Sequence, residues 1–209
     1  MRDVASEQTA PCPATGLVFV LSGPSGVGKD SVARVLRQDG FPLGYCITAT
    51  TRRQRPNERH GFNYFFVTPE AFEHMRAAAE LLEYALVHGN YYGIPLAQVR
   101  SGLQAGNDLL ITVDVQGAAT VRAKLPQAIS IFLAPPSLDE LIPRLVGRGT
   151  ETEAERAVRL ADAQREMELR VHFDYCVVNF RDRLRETAET IKAIIVAERC
   201  RVVPRLVTL

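Results

Sequence analysis

The chain has little cysteine, little histidine and no excess of charge of either sign. Its 209 residues include four cysteines and four histidines, and no two cysteines form a C-x-x-C pair. Zinc sites usually draw on such pairs, so this composition argues against one. Lys and Arg number 25 against 24 Asp and Glu, and this balance points to neither a nucleic acid nor a membrane as a partner.

Long apolar runs are absent as well. No stretch of the chain reaches the roughly 20 apolar residues that a membrane-spanning helix needs. Residues 1–15 are polar and lack the apolar segment of a secretion signal, and Asp3 and Glu7 argue against a transit peptide. We therefore expect residues 1–15 to be a flexible tail and the protein to act in the reducing cytoplasm, with Cys46 and Cys176 as reduced thiols in apolar, strand-like runs.

The stretch from Leu17 to Ser31 reads LVFVLSGPSGVGKDS. Its apolar first six residues are typical of a strand buried on both faces of a parallel sheet. The following residues match G-x-x-x-x-G-K, a phosphate-binding loop whose backbone N–H groups, lysine and following helix all face one anion. The residues predicted to bind nucleotide phosphate are Gly23, Pro24, Ser25, Gly26, Val27, Gly28, Lys29, Asp30 and Ser31.

Predicted strands and helices alternate along the rest of the chain. The further strands are expected at residues 45–50, 62–67, 81–88, 109–114, 129–134 and 175–179, and the helices at 29–38, 69–79, 95–104, 116–125, 138–146, 152–171 and 182–199. The connections are long enough for parallel pairing. We predict a three-layer α/β fold with a parallel core sheet.

A basic loop follows the second predicted strand. Arg52 and Arg55 are three residues apart in an irregular segment, and two guanidinium groups suit a phosphate dianion. Tyr64 and Tyr92 offer phenolic hydrogen bonds. By itself the loop is better explained as a solvated basic surface, but beside a phosphate-binding loop we predict a second anion site.

Two acids lie within or at the end of apolar strands. Glu83 and Asp114 offer carboxylates that accept from the N1–H and exocyclic amine of guanine. For Glu83 alone, a carboxylate at the rim of the sheet is the simpler interpretation.

A group of arginines flanks a Gly-Arg-Gly-Thr segment at residues 147–150. A mobile segment with arginines would stabilise the charge on a transferring phosphate. We predict this role for Arg148 and Arg159, whereas pairing with nearby acids on a helix surface is the preferred interpretation of Arg156.

Several blocks of the chain resemble the guanylate kinases. They read SGPSGVGK, TATTRRQRPNERHGFNYFFV, ELLEYALVHGNYYGIP, VDVQGA, FLAPPS, RLVGRGTET and YCVVN, and they follow in the family's order from about Leu17 to Arg199. The resemblance implies a P-loop fold and transfer of the γ-phosphoryl group of ATP to GMP, with Mg²⁺, in purine nucleotide metabolism. It also implies a core (residues 16–48, 95–137 and 167–200), a GMP-binding subdomain (49–94), a helical lid (138–166) and a tail (201–209).

The resemblance also implies roles for individual residues. The GMP phosphate ligands are Arg52, Arg55, Tyr64 and Tyr92, and the guanine contacts are Thr48, Glu83 and Asp114. The catalytic residues are Lys29, Arg144, Arg148 and Arg159, and Asn179 matches a residue beside the adenine.

The chain departs from the family pattern at four positions. Ile94 replaces a usual Thr or Ser, which removes one guanine contact, and Phe180 replaces an Asp. Asp30 replaces the Ser or Thr whose hydroxyl ligates Mg²⁺, while Thr112 stands where an acid is common. We hypothesise that Asp30 binds Mg²⁺ in place of the acid missing at Thr112.

Two other functions stay open at this point. One is a related P-loop kinase with a different phosphorylated acceptor, such as ribose 1,5-bisphosphate, because some of these kinases share the GKDS sequence. The other is a guanylate-kinase-like module that binds phosphopeptides without catalysis, although such modules tend to lose the lysine and arginines retained here at Lys29, Arg148 and Arg159. We expect GMP and ATP as partners, no nucleic acid or membrane, and a monomer or homodimer.

Overall fold

The computed structural model describes residues 16–87, 89–141 and 153–209, with the backbone alone at 153–157 and 159. Its strands are β1 (Val18–Ser22), β2 (Gly44–Tyr45), β3 (Ala49–Thr50), β4 (Phe65–Phe66), β5 (Leu81–Val87), β6 (Asn90–Pro95), β7 (Leu109–Thr112), β8 (Ile129–Ala134) and β9 (Tyr175–Val178). Its α-helices are α1 (Lys29–Gln38), α2 (Pro69–Ala77), α3 (Leu96–Gln104), α4 (Val115–Lys124), α5 (Glu153–Glu168) and α6 (Leu184–Arg199). Residues 138–141 are helical, and a 3-10 turn spans Leu169–His172.

Five parallel strands form the core sheet in the order β2-β7-β1-β8-β9. The central strand β1 is buried along its whole length, and its side chains alternate between two apolar clusters. Phe19 and Leu21 pack with residues of α1 and α6, whereas Val18 and Val20 pack with residues of α3 and α4. Helices thus cover both faces, and the predicted three-layer fold with a parallel core is confirmed.

A second sheet has the order β4-β3-β6-β5 and is mixed. Strands β5 and β6 pair antiparallel, β3 runs antiparallel to β6, and β4 runs parallel to β3. Helix α2 contributes Phe72, which is buried against Ala49 and Leu81. Thr68 accepts a hydrogen bond from the Ala71 N–H at 3.2 Å, so this helix begins at the predicted cap.

The prediction of a single strand at residues 45–50 is wrong, because the two ends of this segment belong to different sheets. Its first part pairs with β7 and its last part with β6. Between them, the Ile47 N–H donates to Gln98 Oε1 at 2.9 Å, and Gln98 Nε2 donates to the Ile47 carbonyl at 2.8 Å. The side chain of Gln98 therefore takes the hydrogen bonds that a neighbouring strand would otherwise supply.

Other predicted boundaries shift for local reasons. The strand expected at 62–67 shortens to β4, because Phe62 and Asn63 donate back to the Arg59 carbonyl in a turn. Asp114 leaves its strand and caps α4, accepting from the Gly117 N–H at 2.7 Å. The helix expected to reach residue 171 changes to a 3-10 turn after Glu168.

The last nine residues, 201–209, contain no strand and pack back on the core. Arg205 forms ion pairs with the buried carboxylate of Glu198 at 3.1 Å and with Asp174 at 3.0 Å. Val207 is buried in the cluster beneath α3 and α4. Within the described residues, no helix combines the length and apolar character needed to cross a membrane.

Candidate active site

A cleft of about 710 Å³ is lined by residues from both sheets and from α5. The predicted site residues that line it are Ser25, Gly26, Gly28, Lys29, Asp30 and Ser31 on the loop side, and Thr48, Tyr64, Glu83, Tyr92 and Asp114 on the other. The sheet topology brings the phosphate-binding loop and Asp114 together, because the loop follows the carboxyl end of β1 and Asp114 follows the carboxyl end of the adjacent β7. Residues assigned to two different nucleotides therefore share one cavity.

The phosphate-binding loop owes its shape to its glycines. Gly23, Gly26 and Gly28 have φ angles of 141°, 75° and 106°, which favour glycine over other residues. At Gly23 a Cβ atom would lie 2.2 Å from the Leu133 carbonyl oxygen of β8, so no side chain fits there. This close approach seats the loop against the end of the core sheet.

Lys29 begins α1 and turns back over the loop. Its Nζ donates to the carbonyls of Gly23 at 2.6 Å and Pro24 at 3.1 Å. Burial lowers the pKa of Lys29, while the negative charges of Asp30, Glu166 and Asp114 act in the opposite direction. Among the described residues no carboxylate forms an ion pair with Lys29, and a phosphate entering the cleft would supply a direct anionic partner.

The basic loop is organised around Glu58, a residue that its sequence pattern did not single out. The Glu58 carboxylate accepts from Arg52 Nη2 at 2.8 and 3.0 Å and from the Arg55 N–H at 2.9 Å. Burial favours a higher pKa for Glu58, but these hydrogen bonds and charges outweigh it and leave the pKa lowered. An acid three residues after Arg55 is the signal that points to such a contact.

The two arginines of this loop differ in freedom. Arg52 is 15% exposed, lies over the rings of Tyr64 and Phe66, and has the Tyr92 hydroxyl nearby. The Arg55 guanidinium is 49% exposed and lies 3.8 Å from Glu58. Arg52 is therefore fixed beside the two tyrosines of the cleft, while Arg55 can turn toward a ligand at little cost.

The two acids assigned to guanine lie close together on the opposite wall. Glu83 is 2% exposed on β5, and burial together with the nearby charge of Asp114 raises its pKa to about 8, against the influence of Lys124 and the Ile94 N–H. A Cβ at Gly117 would lie 2.8 Å from Glu83 Oε2 and 3.3 Å from Asp114 Oδ1. The absence of a side chain at position 117 therefore makes room for both carboxyl groups.

Helix α5 also reaches the phosphate-binding loop. Glu166 Oε2 accepts a hydrogen bond from the Ser25 N–H at 3.3 Å. Burial raises the pKa of Glu166, although Lys29 and the Ser25 N–H oppose this. Sequence patterns gave no signal for this residue, because it is one of many charged residues on a charged helix.

Several predicted site residues do not line this cleft, including Arg52 and Arg55 of the basic loop. Arg144 and Arg148 are outside the described residues, and of Arg159 the backbone position on α5 is described. Asn179 lies behind the loop and does not line the cleft.

The positions that depart from the family pattern lie in different surroundings. Thr112 lines the cleft at the end of β7. Ile94 is fully buried opposite Glu83 in the β5–β6 pairing, while Phe180 is 47% exposed.

Comparison with known proteins identifies the family. A model of guanylate kinases matches residues 16–198. The chain belongs to the guanylate kinase family. The "Guanylate kinase" of Shouchella clausii is 48% identical over 186 residues, which cover 89% of this chain and 90% of that protein. "Guanylate kinase 2, chloroplastic/mitochondrial" of Oryza sativa subsp. japonica is 44% identical over 206 residues, 98% of this chain and 72% of that protein.

A solved guanylate kinase has the same fold. The crystal structure of guanylate kinase from Anaplasma phagocytophilum superimposes with a TM-score of 0.74 at 31% identity, covering 90% of this chain and 89% of that one. The resemblance drawn from the sequence blocks is thus confirmed, and the family match spans nearly all of the predicted domain.

Proposed function

We propose that this chain is an ATP:GMP phosphotransferase, which transfers the γ-phosphoryl group of ATP to GMP and yields ADP and GDP. One observation carries the proposal: a phosphate-binding loop with its lysine and a pair of carboxyl groups suited to guanine line the same cleft. Membership of the guanylate kinase family supports it. A ribose bisphosphate would leave Glu83 and Asp114 without a base to bind.

The loop side would hold the donor nucleotide. Backbone N–H groups of the loop and the first turn of α1 suit the β-phosphate, and Lys29 supplies a positive charge at the transferring group. Transfer between phosphates needs little covalent help from the protein, because the acceptor oxygen is already anionic. Catalysis then rests on position and on the stabilisation of negative charge.

The acceptor side would hold GMP by its phosphate and its base. Arg52 keeps N–H groups beyond those bonded to Glu58, and it lies beside the Tyr64 and Tyr92 phenols that would bind the same phosphate. Arg55 would complete this site. The carboxyl groups of Glu83 and Asp114, with Thr48, would accept from the N–H groups on the guanine edge.

The residues of the cleft fit Mg²⁺ held mainly by the nucleotide. Across the described ranges, no three His, Cys, Asp or Glu side chains are grouped to hold a metal ion. Mg²⁺ in such sites commonly has one or two carboxylates and otherwise water and phosphate oxygens. Asp30, exposed on the first turn of α1 and lining the cleft, is the carboxylate we assign to it. The ion would neutralise charge on the phosphate oxygens.

The remaining assignments are carried over from the family resemblance. Arg144, Arg148 and Arg159 would contact the transferring phosphoryl group from a lid at residues 138–166. Residues 49–94 would form the GMP-binding subdomain, and the position of Glu166 against the loop supports movement of α5 with the donor site. We further propose that the protein acts in the cytoplasm on these two small molecules.

The test is an acceptor-specificity assay that couples ADP release to a readout with GMP, AMP or ribose 1,5-bisphosphate. We expect turnover with GMP far above that with the other two. Lys29→Ala should lower kcat by about 10² or more while GMP still binds, since the loss removes charge stabilisation at the transferring group.

Preferred turnover of ribose 1,5-bisphosphate would replace the proposed acceptor. Near-normal turnover in Lys29→Ala would contradict the role of the loop, and phosphopeptide binding without any turnover would mean a binding module.

A further inference from the structure

The side-chain amide of Asn179 connects the phosphate-binding loop to α6. Asn179 Nδ2 donates to the Val27 carbonyl at 2.8 Å, and Asn179 Oδ1 accepts from Thr187 Oγ1 at 3.0 Å. The Asn179 N–H donates to the Ala134 carbonyl at 2.8 Å, which continues the pairing of β9 with β8. Asn179 and Thr187 are 4% and 3% exposed. Both ends of the amide are thus used inside the protein.

The packing around this amide leaves it behind the loop. A Cβ atom at Gly28 would lie 2.6 Å from Asn179 Nδ2, so the amide touches the loop backbone directly. Ser25, Gly26 and Gly28 line the cleft, but Asn179 does not. The side chain therefore contacts the face of the loop that is turned away from the cleft.

The geometry of the peptide bond gives this contact a consequence for phosphate binding. In a planar trans peptide, the carbonyl of Val27 and the N–H of Gly28 point in opposite directions. A hydrogen bond that holds the Val27 carbonyl toward Asn179 therefore turns the Gly28 N–H toward the cleft. A flipped peptide would instead present a carbonyl oxygen to the phosphates, where it would repel them.

We propose that Asn179 is a positioning residue for the phosphate-binding loop, held in turn by Thr187, and not a reader of the adenine base. It fixes the Val27–Gly28 peptide in the orientation that binds phosphate. The inference rests on the donor-nucleotide site of the proposed function, and it holds whichever acceptor the enzyme uses.

The test compares a nucleotide with a ligand that has no base. Dissociation constants of ATP and of inorganic tripolyphosphate are measured by calorimetry on the full chain. In Asn179→Ala we expect both constants to rise by the same factor, about tenfold, because the lost contact acts on phosphate binding. In Thr187→Val both should rise by a smaller common factor, and Thr187→Ser, which keeps the hydroxyl, should restore them.

Thr190 on α6 offers a matched control. The Thr190 hydroxyl donates to the Glu186 carbonyl one turn earlier at 2.9 Å, and the Thr187 hydroxyl lies in the same way 3.3 Å from the Arg183 carbonyl. Unlike Thr187, Thr190 is exposed. Thr190→Val should bind both ligands as the wild type does.

Two results would overturn the inference. Weaker ATP binding with unchanged tripolyphosphate binding in Asn179→Ala would mean that the residue reads adenine. If Thr187→Val binds both ligands as tightly as Thr190→Val does, the contact between Thr187 and Asn179 is purely structural, even if Thr187→Val has a lower melting temperature. This comparison of the two threonine variants decides the question if Asn179→Ala does not fold. Because no acceptor is present, failure of GMP phosphorylation would leave this result standing.

Discussion

Replacing Glu83 with glutamine should change how the stability of the protein depends on pH. The ordinary pKa of a glutamate is 4.5, and in the folded protein that of Glu83 is raised to about 8 by burial and by the nearby charge of Asp114. Between these two pH values the folded state holds a proton that the unfolded chain releases. Stability therefore falls as pH rises through this window.

The size of the effect follows from the shift. Each pH unit inside the window changes the free energy of unfolding by about 1.4 kcal/mol for one proton. From pH 5.5 to 7.5 the free energy of unfolding of the wild type should therefore fall by roughly 2 to 3 kcal/mol more than that of Glu83→Gln. The lowered pKa values of Glu58 and Asp174 affect stability at more acidic pH and are common to both proteins.

The measurement is urea unfolding of the wild type and of Glu83→Gln at several pH values from 5.5 to 7.5. Glu80→Gln, at an exposed glutamate just before β5, is the control and should run parallel to the wild type. A constant difference in stability between Glu83→Gln and the wild type over this range would refute the assignment of a raised pKa to Glu83.

Two further predictions concern the acceptor and the metal. Glu58→Gln should raise the KM for GMP about tenfold and leave the KM for ATP unchanged, because Arg52 loses its charged partner. As a control, Glu73→Gln removes an exposed ion pair with Arg76 and should change neither KM. A lower KM for GMP in Glu58→Gln would mean instead that Glu58 competes with the phosphate for Arg52. Asp30→Ser should lower kcat and Thr112→Asp should recover much of it, measured against Mg²⁺ concentration; simply additive effects would exclude a shared metal role.

The parts of the fold that sequence patterns predicted well are those with a strong local signal. Helix α1 has the predicted bounds, since the Gly-Lys pair and the apolar spacing of Val32 and Leu36 both act within the segment. Strand β8 also has its predicted bounds, because a run of six buried residues is fully apolar apart from Ser130. In both cases the information lies in neighbouring residues.

The parts that the sequence could not predict depend on contacts between distant segments. Nothing in residues 45–50 shows that two different sheets take up the two ends of one extended run. The contact of Glu166 with Ser25 joins residues 141 positions apart, and that of Asn179 with Val27 joins residues 152 positions apart. Residue types in the sequence predicted which side chains would bind the nucleotides. The side chains that hold the phosphate-binding loop in place are identified only by the three-dimensional packing.

The two hydrogen bonds between Gln98 and Ile47 bear on the distance between the two substrates. Residues 46–48 link β2 to β3 and span a fixed distance, because each strand is paired in its own sheet. The middle residue, Ile47, is held through both its N–H and its carbonyl by Gln98. Arg52 follows two positions after the end of β3. In the proposed function the short segment would therefore act as a spacer between the phosphate-binding loop and Arg52, in a reaction whose atoms must come within about 3.5 Å. An insertion there would separate two nucleotides without altering any residue that touches them.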